Sequence, residues 1–295
     1  MDIQISSFII VQKDYWHNKS DNSPIYYLKD WHLKLQCRNS PFYDVPIHFA
    51  SDWLNEYFLQ CLDDDYRFVY MGPKGSWTPL HIDVFSSYSW SVNVYGNKRW
   101  VFIPPNKEQN LKDNLNNLIY NIDDISTFKD YIEVMQEPGD AIFVPTGWFH
   151  QVWNLQDTIS INHNWINGCN IESVWHSLKQ TLGNVEREIM DCKDMQNFEE
   201  HCQAMLKSLF GMDYYTFYNM IACIVHNRIA GLSDPSKRKL FHGYTIGINH
   251  ILFDLKKCSE VLQMFVECDY IKKTSYFTEV KKDIYQIKEV LSNNT

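Results

Sequence analysis

Up to about residue 168 the hydrophobic positions come in short alternating runs cut by Gly, Pro, Asn and Asp: "YRFVYMGPKGSW", "SWSVNVYGNKRWVFIPP", "EPGDAIFVPTGWFHQVW" and "DTISINHNW". Runs of this kind predict β-strands and their turns. After Asn167-Gly168 the period changes. Val174, Leu178, Leu182, Val185 and Ile189 recur at three- and four-residue steps behind Asn170 as a cap, which predicts an amphipathic helix. Helical texture continues through "FEEHCQAMLKSLF" and "FYNMIACIVHNRIAG", breaks at "LSDPSKRK" and resumes to the end. The segment "NLKDNLNNLIYNIDDIS" reads as an insertion loop between strands.

Within "SWSVNVYGNKRWVFI", Gly96-Asn97 is a favoured two-residue turn, so a hairpin is expected with Tyr95 opposite Lys98. Side chains alternate along a strand and opposite residues share a face. Ser91, Asn93, Tyr95 and Lys98 then form a polar face, and Trp90, Val92, Val94, Arg99, Val101 and Ile103 an apolar one. The polar face either meets solvent or lines something that wants polar groups.

Composition narrows the class. At 295 residues and 45% hydrophobic content the chain can bury a large core, and 15% aromatics suit a β-rich core with ring-lined cavities. A formal charge of −9 with one compact basic run, Lys237-Arg238-Lys239, argues against direct nucleic-acid binding. No stretch approaches the ~18 apolar residues of a membrane span. Eight cysteines without a C-x-x-C pair exclude structural zinc fingers and are expected as free thiols in a reducing compartment.

The chemistry begins in "TPLHIDVF", which reads as buried strand yet carries His81 and Asp83 on one face by alternation. A third group comes from "PTGWFHQVWN", where His150 sits in another strand-like run. Two histidines and one carboxylate can occupy one face of a six-coordinate ion, the arrangement of non-haem Fe(II) oxygenases, leaving three positions for substrate chemistry. A cosubstrate such as 2-oxoglutarate can take two of these and O2 the last. Its far carboxylate needs a cation, and Lys98 projects from the polar face. A buried lysine is costly without an anionic partner, so this face is expected to line a cavity.

"GPKGSWTPLHID", "YSWSVNVYGNKRWVFIPP" and "EPGDAIFVPTGWFHQVWNLQDTISINHNW" together resemble the JmjC class of Fe(II)- and 2-oxoglutarate-dependent oxygenases. That resemblance implies a mainly β fold with added helices: a double-stranded β-helix of the cupin or jelly-roll type over residues 23–168, then a helical region over 169–295. The segment 1–22 does not match, and the expectation is a chain truncated at its start. The likeness assigns His81, Asp83 and His150 to iron and Lys98 to the far carboxylate of 2-oxoglutarate. Thr78, Asn162 and Tyr26 match positions that contact this cosubstrate, and Ser91 stands where some relatives carry Asn.

One branch of the class shares "LKDWH", "FASDWLNEY", "DDYRFVYMGP" and "ISINHNWING" with this chain. It implies a cytoplasmic protein lysyl hydroxylase acting on a translation termination release factor, with ascorbate as an aid; some related enzymes form homodimers through such helices. The alternatives are a methyl-lysine demethylase and a non-catalytic cupin-like scaffold. His163 has the opposite parity to Asn162 and should point away from the cavity, whereas Asn164 shares its face. Trp148 and Phe149 are expected to pack around the metal site, and His32, His48 and His176 have no partner at ligand spacing. The run "MDYYTFYNM" is expected as helix core.

Overall fold

The computed structural model describes residues 18, 20, 24–107, 111–112, 118–122 and 130–293; most of segment 1–22 and much of the insertion segment lie outside them. Among the described residues the strands are β1 (Leu28–Trp31), β2 (Arg67–Gly72), β3 (Trp77–His81), β4 (Tyr88–Tyr95), β5 (Lys98–Ile103), β6 (Ile132–Gln136), β7 (Ala141–Val144), β8 (Phe149–Asn154) and β9 (Thr158–Trp165). They form two antiparallel sheets, ordered β1-β2-β9-β4-β7 and β3-β8-β5-β6. The sheets face one another, because the Lys98 ammonium on β5 donates to Ser160 Oγ on β9. This is the jelly roll expected of the sequence.

The expected hairpin is not one. Although Gly96-Asn97 joins β4 to β5, β4 pairs with β7 and β9 while β5 pairs with β6 and β8, so the turn is a corner between sheets. Gly96 has φ +76°, and a Cβ there would collide with the Asp157 carbonyl. A bulge between Asn93 and Tyr95 ends the alternation, leaving Tyr95 59% exposed. On the inner side the side chains alternate all the same. Ser91, Asn93 and Lys98 are buried. On the outer side of β5, Val101 and Ile103 are covered by Leu80 and Phe149 together with Leu111 and Ile122 of the insertion segment.

Helices α1 (Leu33–Gln36) and α2 (Trp53–Tyr57) precede β2, and α3 (Ile171–Glu188), α4 (Phe198–Phe210), α5 (Tyr214–Ser233), α6 (Ile248–Val266), α7 (Asp269–Lys272) and α8 (Phe277–Ser292) follow β9. The periodic residues Val174, Leu178, Leu182 and Val185 of α3 are buried in one large core with Phe217, Leu255, Phe265 and Ile284. Tyr214, Phe217, Tyr218 and Met220 of the aromatic run lie in this core, with Tyr215 left outside. Helix α2 belongs to the same core through Trp53, Leu54 and Tyr57.

A buried ion cluster ties α2 to the later helices. Arg228 on α5 makes two bonds of 2.8 and 2.9 Å to Glu56 on α2 and a third of 2.6 Å to Asp254 on α6. Trp53 of α2 donates its indole N–H to Asp254 and its backbone N–H to the Ile166 carbonyl just past β9. The eight cysteines are free thiols, and no helix among the described residues is long and apolar enough to cross a membrane.

Candidate metal centre and its cavity

His81 ends β3 and His150 lies on β8, directly opposite one another in the antiparallel register, with ring centroids 4.2 Å apart. β3 is an edge strand, which is how it tolerates Pro79 in its middle. The strand expected over Thr78–Phe85 stops at His81. Asp83 follows it in extended conformation (φ −59°, ψ 148°), and Val84–Ser86 form a short turn in which Phe85 is left-handed (φ 58°). Asp83 still reaches the histidines: its Oδ2 is 3.9 Å from His150 Nε2. One ligand atom from each of the three residues lies within 4.8 Å of the others.

Hydrogen bonds set the protonation of the site. His81 Nδ1 is 2.7 Å from the Pro79 carbonyl and His150 Nδ1 is 3.2 Å from the Trp148 carbonyl. A carbonyl only accepts, so both Nδ1 atoms carry a proton and Nε2 is the nitrogen each ring has left to offer a metal. Burial, then the neighbouring His81, pushes His150 down to about 4, so it is neutral at physiological pH. Ser89 donates to Asp83 Oδ2 at 2.7 Å and fixes the carboxylate. Two imidazoles presenting Nε2 and one carboxylate, with open space before them, fit a divalent first-row metal with vacant positions.

That space is a cavity of about 380 Å3, lined among others by Thr78, Lys98, Trp100, Asn162 and the three candidate ligands. The Lys98 side chain is 2% exposed, and its only hydrogen-bond acceptor among the described residues is the neutral Ser160 hydroxyl at 2.8 Å. Burial, with a contribution from Lys29, drives its ammonium down to about 7. A cation so placed calls for an anion, and a dicarboxylate supplies one. Asn162 donates to the same Ser160 hydroxyl at 3.1 Å.

Two residues singled out in the sequence are not brought to the cavity wall. Tyr26 is 54% exposed, and its neighbour Tyr27 takes the inward place, bonding Thr78 and Asn154. Burial lifts the Tyr27 phenol to about 12, so it stays protonated as a donor. Ser91 is buried directly opposite Asn162, but its backbone carbonyl holds Gln136, whose side chain in turn accepts from Trp100, and its hydroxyl does not reach the wall. Ser160, Ser89, Lys29 and Tyr27 are site residues that sequence reasoning missed. Ser160 could have been found, since it shares the face of Asn162.

The remaining residues fall largely as expected. His163 faces outward, stacked on Trp90 and bonded to Tyr43, and Asn164 lines the cavity. Phe149 packs behind β5 and Trp148 beside Trp100, Phe102 and Val152. His32 does have a partner: Asp65 at 2.8 Å, with Asp64 nearby as a second possible ligand cluster. Arg67 donates to the other oxygen of Asp65, so the cluster already holds its cation.

Comparison with known proteins agrees with the fold. The family described as "JmjC domain, hydroxylase" matches residues 68–165, the stretch carrying all three candidate ligands. The chain belongs to the JmjC family. Within it, the chain resembles proteins named 2-oxoglutarate and iron-dependent oxygenase JMJD4. It is 49% identical to the Drosophila melanogaster homolog over 82% of this chain and 57% of the relative. It is 39% identical to the Mus musculus protein over 95% of this chain and 70% of the relative. An Arabidopsis thaliana protein named arginine-specific demethylase JMJ20 is 34% identical over 96% of this chain and 67% of its own length. The chain thus spans little more than half the length of the fly relative.

Proposed function

We propose that this protein is an Fe(II)- and 2-oxoglutarate-dependent oxygenase that hydroxylates a protein side chain, a lysine of a translation termination release factor in the cytoplasm. The observation that carries the reading is the pairing of two metal-ready imidazoles and Asp83 with the buried, anion-lacking Lys98 in one cavity. The names of the fly and mouse relatives support iron and 2-oxoglutarate as its requirements. When bound, iron with 2-oxoglutarate and O2 supplies the oxidising power to place a hydroxyl on an unactivated carbon while 2-oxoglutarate becomes succinate and CO2. His81, Asp83 and His150 would hold the metal. Lys98, with Thr78, Tyr27 and Asn162 around it, receives the cosubstrate and fixes which way its keto acid end points. Trp100, stacked on His150, and Val152 keep bulk water from that side.

The protein supplied with Fe(II), ascorbate, 2-oxoglutarate and a purified release factor should yield succinate and a lysine heavier by one oxygen atom. Absence of any such product across lysine-bearing substrates overturns the reading. The Arabidopsis relative favours one second reading, N-demethylation. Loss of a methyl group from methylated peptides, with no stable hydroxylated product, would put it first.

A further inference from the structure

Lys29 and Asp30 are consecutive residues of β1, yet both line the cavity. Regular strand alternation forbids this. It is achieved here by a register shift between Leu28 and Trp31 and by a left-handed backbone at Asp30, φ 54°. A non-glycine residue in this region is uncommon and costs energy, and bulges next to active sites re-aim side chains. The re-aimed group is a carboxylate. Its Oδ1 accepts from the Tyr70 hydroxyl at 2.7 Å, and it is exposed, lines the cavity and has no lysine or arginine nitrogen within 4.0 Å among the described residues. Lys29 attracts it but makes no direct ion pair with it: that ammonium lies 4.8 Å over the Tyr27 ring and 3.5 Å from the Trp77 carbonyl.

The charges of the cavity can then be assigned. Its carboxylates are Asp30 and Asp83, and its lysines are Lys29 and Lys98. Asp83 is committed to metal and Lys98 to the cosubstrate, which leaves Asp30 and Lys29, close enough to attract one another but not joined in a direct ion pair. Beside Asp30 stands an aromatic wall. The Phe68 ring runs nearly parallel to Tyr70 at 6.3 Å and is edge-on to Tyr66 at 5.9 Å. Methylenes pack on such a wall, and a cation at its end gains from both ring faces and a carboxylate.

We infer that Asp30, oriented by Tyr70, is the subsite that receives the ammonium of the substrate lysine while Tyr66, Phe68 and Tyr70 hold its methylenes. The assignment rests on the lysyl hydroxylase reading above and adds the residue that selects the charge. It makes Asp30 a specificity residue that touches substrate and leaves metal and 2-oxoglutarate to other residues of the cavity.

Asp30→Asn is the clean test, because asparagine tolerates the left-handed backbone and keeps the bond to Tyr70 while removing only the charge. With the release factor as probe, its KM should rise about tenfold or more, the scale of a lost charge-assisted hydrogen bond, while the KM for 2-oxoglutarate stays within about twofold. Tyr70→Phe should raise the release-factor KM in the same direction by a smaller factor. An unchanged release-factor KM in Asp30→Asn, or a loss of 2-oxoglutarate affinity of similar size, overturns the assignment. A second measurement does not depend on the macromolecular substrate: ligand-detected NMR of the metal-loaded protein with Nα-acetyl-lysine amide and Nα-acetyl-norleucine amide. Wild type should prefer the lysine amide and Asp30→Asn should show no preference. Equal binding of both amides to wild type overturns the subsite, whereas a lysine preference with no hydroxylated release factor leaves the subsite standing and removes the proposed substrate.

Discussion

Gly211 and Phe85 meet so closely that no side chain fits between them: a Cβ at Gly211 would overlap the Phe85 ring. Gly211 closes α4 with φ +98°, and Phe85 lies two residues beyond Asp83 with its own left-handed backbone. The ring also packs edge-on against Tyr66 at 4.7 Å. The helical core thus grips the loop that presents a metal ligand. Gly211→Ala should cost about 1–3 kcal/mol in chemical denaturation from backbone strain and overlap combined. Anaerobic Fe(II) titration should show a several-fold weaker affinity as Asp83 loses its fixed position. Unaltered metal affinity in a destabilised variant would separate the loop from the core.

Ser89 is not one of the three candidate ligands, yet its hydroxyl orients Asp83. Groups that hold metal ligands contribute about 10–100-fold to affinity, so Ser89→Ala should weaken Fe(II) binding by about tenfold and leave the fold intact. His81→Ala removes a ligand outright and should abolish both metal binding and turnover. Metal titration with circular dichroism on the same samples checks both variants.

The Lys98 ammonium sits near 7 in the free protein, held down by burial and then by Lys29. A lysine is charged below its pKa, so the anion-ready form dominates below pH 7, and at pH 8 only about a tenth of molecules carry it before binding. The affinity for 2-oxoglutarate should therefore be level below pH 7 and weaken above it, with proton uptake on binding. Calorimetry in buffers of different ionisation enthalpy measures that uptake. Lys98→Met should bind far more weakly and lose the pH dependence.

Arg228 is 2% exposed between Glu56 and Asp254. Arg228→Met leaves two buried carboxylates without their counter-charge and should destabilise by about 3–5 kcal/mol. The triple variant Arg228→Met, Glu56→Leu, Asp254→Leu removes all the charges and should recover much of that loss. Urea unfolding of both variants decides the point.

The strand and helix textures, and the side chains that face the metal, were legible because period and alternation are local properties of the chain. Lys98 lies where alternation puts it, whereas Thr78 and His81, three positions apart, share the cavity because the register shifts between them. What was not legible depends on pairing between distant segments. Gly96-Asn97 has the chemistry of a hairpin turn whether or not its strands share a sheet, and only the register of β8 and β9 decides. Tyr26 and Tyr27 differ by one position in a segment just before β1, too short to show a period. Asp30 breaks alternation through a bulge, which no local pattern announces. His32 finds its partner 33 residues away, across a contact that spacing could not show.

The span shared with the family, residues 68–165, holds every ligand of the candidate centre and none of helices α2 to α8. Phe58 and Phe210, which meet the Phe85 ring from either side, both fall outside it. Excised as a fragment, those strands would own the full coordinating set while the aspartate's perch swung free, so the competent unit is the clasp of sheet and helices together.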